Sequence, residues 1–398
     1  MPKKLSGALR ALVLSADGPG WRRVVGDTVF GGLLGLTYER VPARLRSTWF
    51  ARKVLAPEYA RLGYVLDWRD AILAAPELDC HLINVSDLTR SLPALKAIRK
   101  YDCVIVLHSA FGDFVALLQR LAPLFQARRG PMFAFVGNEY DQMSGKFAFL
   151  RSAGVNLVGS QLPLDVAQWL YARCSASTVI AMPHALNPEM YNPPPKENRT
   201  IDVGFIGSRY PLFIGDTERN RLLSYFEEHG TRLGLTTSIS ATTQDRAGWL
   251  HFLQHTCGIL GAEAGTYYLD QEGALMRSAK AYCERFPEAT LQEVVAECFS
   301  GQIEYRSGKA ISSRHFEPIG AMACQLLLEG RYNGILTAGQ HYIAIDRDLG
   351  NVDEAVRQFR DLGVRRQVAS QAYAHVMGAH TYRHRVQHMV QALDALSS

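Results

Sequence analysis

The sequence predicts an α/β protein made of two successive layered halves. Three observations carry that reading. Short apolar, strand-like runs alternate with helical stretches along the 398 residues, the pattern of parallel sheets covered by helices. A single proline-dense stretch, PHALNPEMYNPPPKENRT, divides the alternation in two, because its prolines continue neither a helix nor a central strand. The composition, 47% apolar and 20% charged, is that of an ordinary globular chain long enough for two or three domains.

In the first half the strand candidates are Ala11–Ser15, His81–Val85, Cys103–His108, Met132–Val136, Asn156–Gly159 and Thr178–Met182, with a helical pattern at Leu162–Ala172. A linker runs from about Asn187 to Arg199. A second series starts at once with Asp202–Ile206, a Gly-Ser-Arg turn and a helix from about Thr217 to His229. Further strands are expected at Thr236–Ile239, Gly258–Gly261, Gln325–Leu328 and His341–Ile345, and the tail from Val364 to Leu396 reads as helical. The expected organisation is an N-terminal domain over 1–186, the linker 187–199, a C-terminal domain over 200–375 and a closing helix over 376–398 that packs back on the first domain. Two such halves suggest two Rossmann-like domains facing a central cleft. Ligands of open parallel sheets bind beyond the carboxyl ends of the strands, so the strand ends are searched for chemistry.

Composition excludes several classes. The longest apolar stretches reach about half of the ~20 residues a membrane-spanning helix needs. The opening MPKKLSGALRALVLSADGPG has a basic end but no small-residue cleavage site, and reads as a first strand rather than a signal peptide. Seven cysteines without a CxxC pair read as thiols in a reducing compartment, not as a disulfide frame or zinc site. Up to Lys53 the chain holds ten basic and three acidic residues, a net of +7 against +5 for the whole chain. Such a basic region suits an anionic membrane surface, nucleic acid or a phosphorylated substrate, or is simply a solvated face. No aromatic-interleaved RNA-binding motif is present, so nucleic acid is not expected as a partner.

There is no P-loop, no GxGxxG after a strand and no HExxH. Asp346 and Asp348 could ligate a divalent ion, although a loop or capping role is the more ordinary reading, and no metal site is expected. VGFIGSR ends a strand at Gly207, Ser208 and Arg209. There a glycine lets backbone approach a ligand, a following helix offers free N–H groups, and an arginine can grip a diphosphate. In GKAISSRHFEPIG, Glu317 is placed at the start of a helix, where a carboxylate can accept two hydroxyls of a vicinal diol or merely cap the helix; Lys309 and Arg314 lie upstream, ready to meet phosphate. LGAEAGT sets Glu263 among small residues at a strand end, leaving room for a bulky group or marking a tight turn. In the first half His108 and Glu139 follow apolar strands, and Asp17, Gly18 and Gly20 form a loop after the first strand.

Several of these stretches resemble a known family. TVIAMPHALNPEMYNP resembles the segment joining the domains of GT-B glycosyltransferases, and DVGFIGSR the first strand of their nucleotide-binding domain. ISSRHFEPIGAMACQLLLEGRYNGILTAGQHYIAI is similar to the donor-site helix region of the family-four-like retaining enzymes, nearest their spore-maturation-protein-like (CgeB-like) branch, as is SQLPLDVAQWLY. The resemblance runs from about Cys103 to the C-terminus. It implies the GT-B fold and a sugar transfer from a nucleoside-diphosphate donor to a hydroxyl of a glycan or lipid-linked acceptor, retaining and independent of metal or cofactor. It implies that Glu317 holds the donor ribose and Arg209 the diphosphate. The family's hallmark is two glutamates with seven residues between them; Glu317 corresponds to the second, and the first, eight positions earlier, falls where this chain has Lys309. The resemblance assigns that donor-sugar role to Glu263, displaced upstream by an insertion of some forty residues. Arg219, Arg221, Lys309 or Arg314 then stands in for a missing lysine partner of Arg209, and His108 or Glu139 orients sugar or acceptor. A cytoplasmic location, peripheral on the inner face of the cell membrane, and a part in envelope polysaccharide or glycolipid assembly are the matching expectations. A catalytically silent binding subunit and an epimerase or hydrolase are the other readings of the same scaffold.

Overall fold

All eleven expected strands form, and each belongs to one of two fully parallel sheets in a computed structural model that describes residues 7–194, 198–242, 244–301 and 303–397. The first sheet contains β1 (Leu9–Ser15), β2 (Leu78–Asn84), β3 (Cys103–Val106), β4 (Met132–Phe135), β5 (Leu157–Ser160) and β6 (Thr178–Ala181) in the order β2-β1-β3-β4-β5-β6. The second contains β7 (Ile201–Ile206), β8 (Thr237–Ser240), β9 (Thr256–Gly261), β10 (Cys324–Leu328) and β11 (Ile343–Ile345) in the order β11-β10-β9-β7-β8. β3, β4 and β10 are buried at every position. Covering helices on both faces explain why these strands read as continuous apolar runs rather than alternations.

The strand order reverses between β1 and β3 in one sheet and between β7 and β9 in the other. At such switch points the loops leaving adjacent strands diverge to opposite faces and open a crevice. In the second sheet the loops concerned are Gly207–Tyr210 and Ala262–Thr266. In the first they follow Ser15 and Val106, and Ala16 N–H donates to Ser109 Oγ at 3.1 Å across them.

The described residues divide into two compact units. One holds the residues up to Ser160, Ala167–Met182 and those from Val386 on; the other holds Gln161–Val166 and Pro183–Arg385. Each sheet lies in one unit. In the second, Trp249, Phe252, Phe316, Tyr332 and Tyr342 build the core on one face of the sheet, while Leu222, Phe226, Val356 and Phe359 build it on the other. The tail is helical over Leu362–Ala379 and Tyr382–Ser397. Lys3, Lys4 and linker residues 195–197 lie outside the described residues. No described helix is long and apolar enough to cross a membrane, and all seven cysteines are free.

One expected boundary is corrected. The sequence places Glu317 at the start of its helix, but the helix begins at Ser313 and runs to Gly320. Glu317 is its fifth residue, so the helix dipole cannot be what stabilises its charge; side-chain partners take over that task. The expected loop role of the Asp346/Asp348 pair is seen directly at Asp348, whose Oδ1 accepts Gly350 N–H at 2.8 Å.

Arg199, at the end of the linker, ties the second unit together. Its guanidinium donates to the carbonyls of Leu253 (3.1 Å) and Thr256 on one side and Ala321 (2.7 Å) and Met322 (3.3 Å) on the other. These carbonyls end two helices packed on the same sheet. Arg199→Ala should therefore cost about 2–4 kcal/mol through several lost charge-assisted bonds, read as a lower urea midpoint. A variant with the wild-type midpoint would show that these carbonyls do not need the guanidinium.

Candidate functional site

The loop after β7 is fixed from the helix Glu218–His229. Asn220 clamps Tyr210 by accepting its N–H and donating to its carbonyl, both at 2.8 Å. Arg219 reaches back one turn: Nη2 donates to Ser208 O at 2.6 Å and the guanidinium lies 3.5 Å from the centre of the Tyr210 ring. Stacking and burial hold this cation at the strand end, and burial lowers its pKa from the ordinary arginine value. Its Nε is buried without a partner among the described residues.

Arg209 takes another direction. It runs along the flank of the same helix to Asn220 O and Ser224 Oγ, both 3.0 Å, and pairs with Glu227. No described contact joins it to the groups around Glu317.

The helix Ser313–Gly320 begins at Ser312. His315, at its third position, folds back so that Nδ1 accepts Ser312 N–H at 3.0 Å while Nε2 faces Ala262 O at 3.2 Å. A neutral imidazole with its proton on Nε2 satisfies both contacts. Burial pulls the His315 pKa down to about 4, with the charge of Arg219 a smaller contribution in the same direction.

Glu317 lies one turn beyond the cap and is buried. Its Oε2 accepts the indole N–H of Trp249 at 2.6 Å and stands 3.8 Å from Arg314 Nη1. Arg314 itself spreads over the Trp249 ring at 4.2 Å. Glu317 Oε1 makes no hydrogen bond among the described residues. Arg314 and Arg219 are close enough that the charge of one depresses the pKa of the other. Two cations, a half-committed carboxylate and a helix start thus converge on the β7/β9 switch point.

Glu263 and Lys309 also meet here, through an unexpected device. The forty-odd residues between them leave and return as an antiparallel pair, with Ala264 bridged to Ala310 and Leu269 to Arg306. The excursion carries the helices Ala274–Arg285 and Leu291–Cys298, whose small core also takes in Leu212 and Phe213 from the turn after β7. At its foot Lys309 is buried in an ion pair with Asp216, its Nζ 4.6 Å from the Tyr267 ring centre. Glu263 is buried and accepts Tyr332 N–H on Oε1 at 2.7 Å. The room its small neighbours leave is filled by the chain's own backbone. A Cβ on Gly330 would lie 2.6 Å from Glu263 Oε2.

In the first unit, His108 is buried between the rings of Trp68 and Phe135, with centroids at 5.4 and 5.0 Å. Glu139 is buried and accepts Ser160 Oγ–H at 2.6 Å and Tyr171 O–H at 2.8 Å. Asp17 accepts from Asn84 Nδ2 at 2.9 Å, and burial pushes its pKa up against the opposing charge of Arg23. Asn84 also bonds Asp27, which pairs with Arg23. Gly18 packs against Glu58 and Arg23, and Gly20, at φ 86°, turns the chain into the helix Trp21–Val25. Past β3, Asp113 accepts Tyr59 O–H at 2.9 Å and a bond from Asn138.

Sequence reasoning missed Trp249 and Asn220, both of which sit inside amphipathic helices and look there like core and surface residues. Only the R-x-F-E string hinted that something had to hold Glu317.

Residues 264–391 match the model of a family described as glycosyl transferase-like. No curated protein matches the sequence. Among solved structures, an alpha-glucosyltransferase in complex with UDP-glucose and abasic-site DNA is 10% identical, covering 97% of this chain and 100% of its own, with a TM-score of 0.57. Sucrose-phosphate synthase from Thermosynechococcus elongatus is 10% identical over 98% of this chain and 99% of its own, at a TM-score of 0.49. The Anabaena protein HepE in complex with UDP-glucose is 11% identical over 98% and 100%, also at 0.49. The chain has the GT-B fold, and its C-terminal part is similar to the glycosyl transferase-like family.

Two tests address this geometry. The unfolded chain takes up a proton on His315 near its ordinary 6.5 while the folded chain refuses it until about 4, so stability is full above pH 6.5 and falls as pH drops toward 4. The loss is on the order of 3 kcal/mol. Urea unfolding across that range should show a shallower decline for His315→Gln than for the wild type. Separately, Gly330→Ala should cost about 1–3 kcal/mol by displacing the Glu263 carboxylate, and less in a Glu263→Ala background because the clash is then gone. Equal costs in both backgrounds would disprove the contact.

Proposed function

We propose that the protein is a glycosyltransferase that moves a sugar from a nucleoside-diphosphate donor to a hydroxyl of a glycan or lipid-linked acceptor. One observation carries the reading: beside the paired cations Arg219 and Arg314, Glu317 is buried with one oxygen fixed by the Trp249 indole and the other uncommitted. A buried carboxylate held on one side only is suited to accept hydroxyls of a ribose. The cations, with the N–H groups at Ser313 and Arg314, suit the diphosphate. The UDP-glucose of the alpha-glucosyltransferase complex is a donor of the class this arrangement fits.

The chemistry follows from charge. As the bond from the sugar's anomeric carbon to the diphosphate oxygen breaks, its electrons pass to the nucleoside diphosphate. The acceptor hydroxyl oxygen forms the new bond to that carbon and gives up its proton to the departing diphosphate oxygen. Groups fixed in place beforehand stabilise the growing negative charge more than they stabilise the bound donor, and so lower the barrier. Arg219 and Arg314 are assigned that task. Gly207 and Ser208 bring backbone close to the phosphates. Arg209 is given a smaller share, because Glu227 already neutralises it. Glu263 holds the loop at Tyr332 in place for the donor sugar, and Lys309 fixes the turn at Asp216. In the first unit the loop at Asp17, Gly18 and Gly20, together with His108 and Glu139, is assigned to the acceptor side. The transfer is taken as retaining and metal-independent, in envelope polysaccharide or glycolipid assembly.

A second reading, a donor-binding subunit without transfer, is favoured by one observation. Lys309 occupies the place of the expected first glutamate and its charge is consumed by Asp216.

Titration with UDP-, GDP- and other sugar nucleotides, followed by thermal stabilisation, tests the site. Glu317→Ala, Arg219→Ala and Arg314→Ala should each weaken binding by about one to two decades, the size of a lost charge-assisted bond. Arg209→Ala should stay within about threefold. Failure of every sugar nucleotide to stabilise the protein would end the proposal. Stabilisation with no nucleotide release in the presence of acceptor extracts would select the second reading.

A further inference from the structure

Exposed apolar side chains are concentrated in one segment. Among the described residues, nine of the sixteen exposed large apolar side chains fall within residues 21–50. Leu33, Leu34 and Trp49 are the extreme cases, at 69%, 66% and 67% exposure. Singly exposed leucines are ordinary on a protein surface, but a contiguous apolar patch marks an interaction site.

The local fold explains why these side chains face outward together. The chain runs from the helix Trp21–Val25 into a wider helical coil over Gly26–Leu33, and a second short coil over Ala51–Leu55 packs beside it. Val41, Ala51 and Leu55, with Phe30, Tyr38 and Val54, fill the space between them as a private core. Phe30 meets Phe50 edge to face at 5.0 Å. That contact ties the stretch carrying Leu33 and Leu34, three and four residues after Phe30, to the stretch carrying Trp49, the residue before Phe50. The intervening loop is pinned by arginines through backbone carbonyls: Arg40 to Gly35 O at 2.9 Å, and Arg46 to Val41 O at 2.9 Å and Glu39 O at 2.8 Å.

The charge around this patch is nearly of one sign. Residues 33–53 contain Arg40, Arg44, Arg46, Arg52 and Lys53 against the single acid Glu39. All five cations are exposed, and none pairs with a carboxylate among the described residues. A protein partner with an acidic rim would suit the charges. Nucleic acid would suit them too, but would gain nothing from Leu33 and Leu34. Exposed leucine and tryptophan tips in the same short segment as five solvated cations match a bilayer of anionic lipid, where the apolar tips enter the headgroup boundary and the cations meet phosphates.

We propose that residues 21–53 form a docking surface for an anionic lipid bilayer, with Leu33, Leu34 and Trp49 inserting and Arg44, Arg52 and Lys53 supplying the attraction. This goes beyond a general electrostatic attraction of the basic N-terminal region, because it has two separable components. The attraction is screened by salt, whereas insertion is not. It does not depend on the glycosyltransferase reading, since donor titration tests the other unit.

The experiment is cosedimentation of the full chain with phosphatidylcholine vesicles, with and without 30 mol% phosphatidylglycerol, at low and high salt. The chain should bind the anionic vesicles and bind them less tightly at ~1 M salt while retaining measurable affinity. Arg44→Ser/Arg52→Ser/Lys53→Ser should weaken binding at low salt roughly 100-fold, at about fivefold per basic residue. Leu33→Glu/Leu34→Glu should abolish the salt-resistant remainder. Brominated lipid should quench tryptophan fluorescence in the wild type and clearly less in Trp49→Phe. Unchanged thermal unfolding and unchanged nucleotide binding would show that the variants are folded. Absence of binding to anionic vesicles at low salt overturns the proposal. So does full binding by the Leu33/Leu34 variant, tighter binding to duplex DNA than to vesicles, or a dimer in sedimentation velocity that Trp49→Glu converts to monomer.

Discussion

The burial of one carboxylate organises the second unit. Glu317 is a charged group taken out of water in the middle of a helix, and an unpaired buried charge is not tolerated. Its helix therefore has to sit where an indole N–H and a guanidinium can meet it. Trp249 supplies the first from the helix Arg246–His255, and by stacking under Arg314 it also holds the second. That arrangement fixes two helices against one sheet face, with Phe252, Phe316 and Tyr332 packed beneath as the apolar support. The neutral His315 belongs to the same constraint. A third cation there would face Arg219 and Arg314, and burial keeps the imidazole uncharged.

Strand positions were legible because these sheets are covered on both sides. Runs such as Cys103–Val106 and Cys324–Leu328 have no exposed face to interrupt them, so they stand out as apolar blocks between turns. The start of the Glu317 helix was misjudged for a local reason. The residue closing its cap is a histidine, not the glutamate or glutamine of the usual capping box, so the string Ser312–His315 carries no ordinary capping-box start signal. The direction of arginine side chains was not legible at all. Arg209 and Arg219 are both near a strand end in sequence, but Glu227 draws one along the helix flank and the Tyr210 ring holds the other at the loop. No spacing rule encodes that choice.

The candidate site was readable as a set of positions and not as a set of roles. Gly207, Ser208, Arg314 and Glu317 do gather near one switch point. Glu263 and Lys309 are brought there as well, but each is engaged by the chain itself, one by the Tyr332 amide and the other by Asp216. In the first unit Glu139 is likewise occupied, by Ser160 and Tyr171. A sequence displays carboxylates without displaying their debts to neighbouring donors, and those debts decide which oxygen atoms remain available.

The excursion between Glu263 and Lys309 has a wider implication. Its two feet are stapled by the Ala264–Ala310 and Leu269–Arg306 bridges, and its helices share a small core with Leu212 and Phe213 of the turn after β7. A shift of the excursion is therefore felt at the turn that follows β7, where Lys280 lies over Phe213 and Thr266 donates to Ile214 O. Such an appendage is coupled to the loop after β7 rather than insulated from it, so a change in its length or packing is carried to the turn Leu212–Ile214.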